Sequence, residues 1–301
     1  MNATTTAAAP QGQAARERLG LALGLIGVLA FSLTLPMTRL AVAELDAGFV
    51  AFGRMALAGL VGAAWLRLAR AAPPTREQLP WLLGCVVGVV VGFPLCSSLA
   101  MRTLPASHGA VINGLLPFAT ALLAATWLGE RHHARFWTCA ALGSTIVIGY
   151  AFRDGLAFGG GHLWMLAAVL IGAIGYVAGG RLSRTMGGVN TILWSLLLAL
   201  PVTLPVAVGL SLATPMDASA STWGAFAYVT LVSQIAGFFA WYNGLALGGI
   251  ARVGQVQLLQ AFFTIAAAAW IFGERVEPLT WLAAAAVVVT IVIGRTERAS
   301  T

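Results

Sequence analysis

Ten apolar runs separated by short polar connections make up the chain from residue 19 almost to its end. A helix that crosses a lipid bilayer needs about 20 apolar residues, with a range of roughly 17–25. Eight runs meet that length comfortably, the fifth lies at the lower limit and the tenth is slightly short. The pattern therefore predicts ten membrane-spanning helices, at Leu19–Val42, Gly48–Leu68, Leu79–Met101, Ala106–Leu128, Phe136–Phe152, His162–Leu182, Val189–Leu212, Trp223–Ala246, Ala251–Phe272 and Leu279–Gly294.

The charges between the runs agree with this division. With the N-terminus in the cytoplasm, twelve of the seventeen arginines fall on the cytoplasmic side, among them Arg67, Arg70 and Arg76. The opposite connections carry carboxylates such as Glu44 and Asp46. Because an excess of basic residues marks the cytoplasmic loops of membrane proteins, the alternation predicts that both termini are cytoplasmic.

The second half of the chain repeats the first at an offset of 144 residues. Phe118-x-Thr120 recurs as Phe262-x-Thr264, and Gly129-Glu130-Arg131 recurs as Gly273-Glu274-Arg275. Nine identities share this register within the window 115–137. Self-similarity at a fixed offset indicates two copies of one unit. We place them at 19–155 and 156–298, after a disordered cytoplasmic tail at 1–18.

Five spans per copy is an odd number, so two copies joined head to tail cross the bilayer in opposite senses. The sequence thus predicts an all-α polytopic membrane protein of two inverted five-helix repeats. In such folds the substrate site lies near the midplane where the repeats meet, and access alternates between the two sides. This organisation is the strongest argument in the sequence for a transporter.

Composition supports the membrane assignment and excludes other classes. Hydrophobic residues make up 59% of the chain and charged residues 9%, whereas soluble domains carry about 25% charged residues. The net charge of +7 comes from arginine alone. These arginines lie singly or in pairs between apolar runs instead of along one face, so we expect no nucleic-acid partner. The three cysteines lie inside apolar runs and are predicted to be small buried hydrophobes.

The segment from Ala100 to Gly149, with Pro117-Phe118-x-Thr120 and Leu128-Gly129-Glu130-Arg131, resembles the EamA domain of the drug/metabolite transporter superfamily. Arg54 matches the family's arginine in the second span, and Pro117 matches its fourth-span proline. The resemblance implies ten helices, alternating access and transport of small metabolites, often export of amino acids. The second copy departs from the pattern, because Gln260-Ala261 replaces an acidic residue followed by proline. The departure weakens the case for a kink and for proton coupling in the ninth span.

Polar residues inside the spans are the candidate substrate ligands, since polarity is costly where a helix faces lipid. Pro36 frees a carbonyl that bends the first span or faces a cavity, unless Ser32 repairs it. The third span contains Pro94 and Ser97, and the fourth contains Asn113 one turn before Pro117. We treat Pro36, Pro94 and Pro117 as hinge candidates and expect Asn113 and Ser97 to contact substrate or a neighbouring helix.

The ninth span carries the strongest candidate, a stripe formed by Gln257, Gln260 and Thr264 on one helical face. The offset of 144 places Gln257 on Asn113, so we expect the two to face each other across the repeat boundary. Substrate contact is our interpretation of this stripe, and contact between helices is the alternative.

Aromatic and charged residues complete the candidate set. Gln234, Phe238 and Trp241 have helical spacing in the eighth span, and Tyr176 lies deep in the sixth. For Trp241 we favour the aromatic belt at the membrane interface, with a cavity wall or gate as the alternative. For Arg54 we favour structural anchoring over contact with an anionic substrate.

No Asp or Glu lies near the middle of any span. A proton antiporter for cations usually needs such a carboxylate, so the sequence favours a facilitator, or coupling through another group, with a neutral to mildly basic cavity. We expect a secondary transporter for amino acids or related polar compounds, active in export at the bacterial inner membrane. Proton-coupled drug efflux is the alternative, and a scaffold or intramembrane enzyme is less favoured.

Metal and cofactor patterns are missing from the sequence. His132 and His133 are adjacent, so their side chains diverge on a helix, and no His-Glu-x-x-His motif is present. We expect no metal, no cofactor and no catalytic residue. The partners are a small-molecule substrate and the lipid bilayer, with the oligomeric state left open between monomer and dimer.

Overall fold

The computed structural model describes residues 10–128, 134–151, 159–248, 253, 256–273 and 275–295, and all regular structure within these ranges is helical. The Gly129-Glu130-Arg131 signature, His132 and His133 lie outside the described residues. The α-helices are α1 Pro10–Ser32, α2 Thr34–Ala41, α3 Ala47–Leu68, α4 Leu79–Cys85, α5 Phe93–Met101, α6 Ala106–Asn113, α7 Leu116–Leu128, α8 Ala134–Ala151, α9 Gly160–Met186, α10 Gly188–Ala213, α11 Ala220–Ala227, α12 Phe238–Gly248, α13 Gln260–Phe272 and α14 Pro278–Arg295.

Seven helical stretches among the described residues are long and apolar enough to cross a membrane: Gln13–Ala41, Ala47–Leu68, Leu79–Met101, Ala106–Trp127, Gly160–Met186, Gly188–Ala213 and Ala220–Gly248. Two further apolar helices, Gln260–Phe272 and Pro278–Thr290, are shorter. The all-helical class is confirmed, whereas a crossing by all ten runs stays a prediction.

Local sequence explains where several helices begin and end. Asp46 caps α3 by accepting a hydrogen bond from the Phe49 amide at 2.9 Å, which satisfies a donor that the first helical turn leaves free. Gly187 alone joins α9 to α10 with a φ of 82°, a conformation that glycine adopts without strain.

The first and fourth runs are both interrupted shortly before a proline. A turn at Leu33 separates α1 from α2, three residues before Pro36, and the Ser32 hydroxyl donates to the Val28 carbonyl at 2.7 Å. The hydroxyl therefore stabilises the end of α1 and leaves the helix broken. Pro117 has no N–H to offer the Asn113 carbonyl, and the chain turns between α6 and α7 at this point.

Two further interruptions, in the eighth and ninth runs, carry no proline at the equivalent position, whereas the interruption of the third run ends just before Pro94. A 3-10 turn at Gln257–Leu259 precedes α13, at the positions that the offset of 144 assigns to Asn113–Leu115. The ninth run is therefore interrupted even though Ala261 stands where the first copy has a proline. π-helical segments occupy Val86–Gly92 and Tyr228–Gly237, again at overlapping positions of the two copies. Segments of this kind often mark functional sites.

The helices of the two copies interlock. In the first copy α1 packs against α12 of the second, and α9 of the second packs against α4, the π-helical segment Val86–Gly92 and α5 of the first. The pairs α3–α10, α6–α13 and α8–α14 also join one copy to the other. Exchanging the copies leaves this pattern of neighbours unchanged, as expected for a duplicated architecture.

Glycine permits the closest of these contacts. A Cβ atom at Gly20 would lie 2.5 Å from the amide nitrogen of Gly248, and one at Gly88 would collide with the backbone of Gly175. The first contact joins α1 to α12, and the second joins α9 to the π-helical segment. We call them the two glycine contacts. Small residues at helix interfaces let membrane helices pack backbone to backbone.

An apolar cluster and a polar contact close the bundle on the side predicted to lie outside. Phe49 of α3 stacks on Phe226 of α11 with ring centroids 5.5 Å apart. Beside it, the Glu44 carboxylate accepts hydrogen bonds from the Ser219 amide at 2.6 Å and from the Ser219 hydroxyl at 2.9 Å. The backbone hydrogen bond is the main cause that lowers the pKa of Glu44 below its ordinary value of 4.5.

Candidate functional site: a polar cavity between the copies

Helices from both copies enclose a cavity of about 30 Å³ next to the interruptions of the first, third and eighth runs. A cavity needs roughly 10–15 Å³ to hold one buried water, so this cavity has room for about two waters. Its wall combines polar and apolar side chains. The polar lining residues are Thr34, Arg54, Asn113, Tyr176, Ser233, Gln234 and Gln260, and the apolar ones are Phe31, Leu35, Val89, Phe93, Pro94, Leu116 and Phe238.

A second space of about 10 Å³ lies between the fourth and ninth runs, enough for about one water. Asn113, Gln257, Gln260 and Pro117 belong to its wall. Asn113 and Gln260 border both spaces, so these two side chains separate them.

Among the residues that the structure describes, Arg54 is the only charged side chain in either wall. It is 2% exposed, and its Nη2 donates to Gln234 Oε1 at 2.9 Å and to Ser233 Oγ at 3.4 Å. Its Nε and Nη1 make no hydrogen bond with the described residues. The guanidinium therefore contacts neutral partners and keeps free donors beside the cavity.

Gln234 orients the guanidinium and links it to the other copy. The π-helical segment Tyr228–Gly237 carries Gln234, whose Nε2 donates to the Val89 carbonyl at 3.3 Å. Val89 lies in the π-helical segment of the first copy. The adjacent Ser233 hydroxyl is 2.8 Å from the Thr34 hydroxyl, so both π-helical segments and the break in the first run converge on Arg54.

Three amide groups around the cavities have unused hydrogen-bonding capacity. Asn113 Oδ1, Gln257 Nε2 and Gln260 Oε1 are buried without a partner among the described residues. Gln260 Nε2 donates to the Phe31 carbonyl at 3.5 Å, next to the break at Leu33. Unpaired buried polar groups are costly, so these atoms point to a ligand or water that the protein binds here.

Aromatic rings form part of the cavity wall. Phe238 lies 4.9 Å from Phe31 and 6.4 Å from Tyr176, measured between ring centroids. Trp241 packs behind them, 6.0 Å from Tyr176 and 1% exposed. This burial contradicts the expected place of Trp241 in a lipid-facing aromatic belt.

The structure brings together most of the residues predicted from the sequence. The larger cavity is bordered by Asn113, Gln260, Gln234, Phe238, Tyr176, Pro94 and Arg54, and the smaller by Asn113, Gln257, Gln260 and Pro117. Of the other candidates, Trp241, Thr264, Ser97 and Pro36 do not line either space. The Ser97 hydroxyl donates to the Pro94 carbonyl at 3.2 Å, and Thr264 is buried within α13.

Sequence reasoning missed Phe31 in the cavity wall, because one phenylalanine within an apolar run carries no distinguishing signal. It also missed Ser233. The contact between Ser233 and Thr34 joins residues 199 positions apart, which no local pattern reveals.

An all-helical bundle of membrane-spanning length, with a polar cavity enclosed between two related halves, defines the class as a polytopic membrane protein. The family described as the EamA-like transporter family matches the chain twice, over residues 18–152 and 159–294. The chain belongs to this family.

Similar proteins agree with this assignment. The chain is 43% identical over 260 residues to the "Uncharacterized transporter YdeK" of Bacillus subtilis (strain 168), covering 84% of this chain and 88% of that protein. One solved crystal structure superposes with a TM-score of 0.63 at 18% identity, covering 91% of this chain and 95% of its own. At that identity the likeness supports the fold alone.

Proposed function

We propose that the protein is a secondary transporter or facilitator for small metabolites, amino acids and related polar compounds in particular. It exports them across a bacterial inner membrane by alternating access, with both termini in the cytoplasm and the two copies inverted. The observation that carries this proposal is the polar cavity that both copies enclose, bordered by interrupted helices. Interrupted helices around a central site are the usual way for transporters to present backbone and side-chain groups to a substrate.

The size of the cavity supports a cycle with an enclosed state. A space of about 30 Å³ holds about two waters and no amino acid, so a substrate enters only when the walls move apart. The apolar contact between Phe49 and Phe226 and the polar contact between Glu44 and Ser219 join the copies on one side. Both contacts break when that side opens.

Solute counterflow in proteoliposomes tests the proposal without an imposed ion gradient. Vesicles loaded with unlabelled amino acids are diluted into the labelled compounds, and the full chain is expected to give saturable accumulation. Asn113→Leu and Gln260→Leu should each reduce the initial rate by at least tenfold, because both residues border both spaces.

Thr145→Val provides the matched control. Thr145 is an exposed polar residue of α8, and among the described residues its hydroxyl donates to its own helix at the Ala141 carbonyl. The counterflow rate of this variant should equal that of the wild type. Labelled uptake no faster than in protein-free vesicles for the whole amino-acid set would refute the proposed substrate class. Strict dependence of the flux on a proton gradient would refute the facilitator and favour proton-coupled efflux.

A further inference from the structure

The charge of Arg54 has no partner of opposite sign in the part of the chain that the structure describes. Its two hydrogen-bond acceptors, Gln234 Oε1 and Ser233 Oγ, are both neutral. The sequence places no Asp or Glu near the middle of any run. Charged side chains within membrane-spanning segments are rare and usually pair with one another or mark substrate pathways.

A purely structural arginine would use its donors on the carbonyls around it. Arg54 instead leaves Nε and Nη1 without an acceptor while it borders the cavity. Gln234 is itself fixed by the Val89 carbonyl, so the guanidinium is held in place on one edge and free on the others. This is an arrangement suited to binding an anion.

We propose that Arg54 is an anion subsite and that a carboxylate on the transported molecule supplies its missing counter-ion. The inference rests on the proposed transport function and deepens it, because it assigns a charge requirement to the same cavity. A carboxylate is favoured over phosphate, since a single arginine among neutral groups balances one negative charge. The free oxygens Asn113 Oδ1 and Gln260 Oε1 on the same cavity would accept hydrogen bonds from a second, donor group of the ligand.

Ligands of matched shape separate the charge requirement from simple apolar binding. The probes are L-leucine, 4-methylpentanoate, which lacks the ammonium group, and 3-methylbutylamine, which lacks the carboxylate, together with inorganic phosphate. Binding to the purified full chain in lipid nanodiscs is measured by calorimetric titration. We expect both carboxylates to bind and the amine and phosphate to bind at least tenfold more weakly.

Arg54→Gln should reduce carboxylate affinity by about 10- to 100-fold, the range for a hydrogen bond to a charged group. Arg39→Gln is the control: Arg39 lies over the Phe272 ring at the end of α2, outside the cavity, and its variant should bind as the wild type does. An amine that binds as tightly as the acid, or an Arg54→Gln protein that keeps its carboxylate affinity, would overturn the inference.

Thermal unfolding without ligand gives an independent readout. If Arg54 is an unpaired charge, Arg54→Gln should unfold at or above the wild-type temperature, because the substitution removes a buried ion that lacks a counter-ion. A clearly lower unfolding temperature would mark Arg54 as a structural anchor and contradict the subsite. Carboxylate binding without flux in proteoliposomes would refute the transporter and leave the subsite supported. Flux of amines that is insensitive to Arg54→Gln would refute the subsite and leave the transporter supported.

Discussion

Gln234→Glu would place the missing counter-ion inside the protein. Gln234 Oε1 accepts from Arg54 Nη2 at 2.9 Å, so a carboxylate of nearly the same shape would form an ion pair there. At 2.9 Å and an effective dielectric constant of about 20, the attraction is about 6 kcal/mol. Burying the new carboxylate costs several kcal/mol, and the carboxylate also loses the hydrogen bond that Gln234 Nε2 donates to the Val89 carbonyl. The expected net gain in folding free energy is therefore about 0–3 kcal/mol.

The same substitution should abolish the need for an anionic ligand. The internal carboxylate would neutralise the guanidinium, so a substrate carboxylate on the free Nε and Nη1 edge would lose roughly the 1.5–3 kcal/mol of a charge-assisted hydrogen bond, equivalent to about a 10- to 100-fold loss of affinity. Calorimetric titration with 4-methylpentanoate measures this loss, and thermal unfolding measures the stability.

Gln234→Leu is the companion variant. It removes both hydrogen bonds of Gln234, to Arg54 and to Val89, without adding charge, so it should lose stability and weaken carboxylate binding less than Gln234→Glu does. The reasoning is refuted if Gln234→Glu binds carboxylates as tightly as the wild type, or if both variants weaken binding equally.

Three further substitutions test other parts of the structure. Gly88→Val should lower the free energy of unfolding by about 1–3 kcal/mol, because the valine side chain would meet the Gly175 backbone. Gly224→Ala is the control and should leave stability unchanged, because the space around Gly224 is open. Equal shifts of the unfolding temperature in the two variants would contradict the close contact between Gly88 and Gly175. Pro117→Ala restores an N–H opposite the Asn113 carbonyl, so it should stabilise the helix by at most about 3 kcal/mol and raise the unfolding temperature. It should also slow counterflow severalfold. An unchanged rate would show that this break has no part in transport. Glu44→Gln removes the negative charge from the contact with Ser219. Because the folded pKa of Glu44 is lowered from 4.5, its contribution to stability is present above pH 4.5 and is lost as the pH falls through the folded value. The difference in unfolding temperature between wild type and Glu44→Gln should therefore vanish in acid. A difference that persists in acid would argue against a contribution from the ionised Glu44 carboxylate.

The helical class and much of the cavity could be predicted from the chain alone. Apolar runs of membrane-spanning length leave helices as the available structure, and the offset of 144 residues placed Asn113 and Gln257 in corresponding positions. Both line the smaller space. Periodicity was sufficient here because polar residues in a long apolar helix stand out.

The contacts of Arg54 and the place of Trp241 could not be predicted in the same way. Each depends on the side chains that another run brings close: Ser233 and Gln234 lie about 180 positions from Arg54. Trp241 lies towards the end of its run, where tryptophans generally face the membrane interface, but α1 covers it. The interruption at Gln257–Leu259 also escaped prediction, since it occurs without a proline.

The two glycine contacts determine which parts of the molecule move together. Gly20 on Gly248 and Gly88 on Gly175 each fasten a helix of one copy to a helix of the other, backbone against backbone. We expect such closely packed backbones to move together. In the proposed alternating-access cycle, the moving units are therefore hybrids that draw helices from both copies. The boundary of the ancestral gene duplication and the boundary of the mechanical parts run through different places in the molecule.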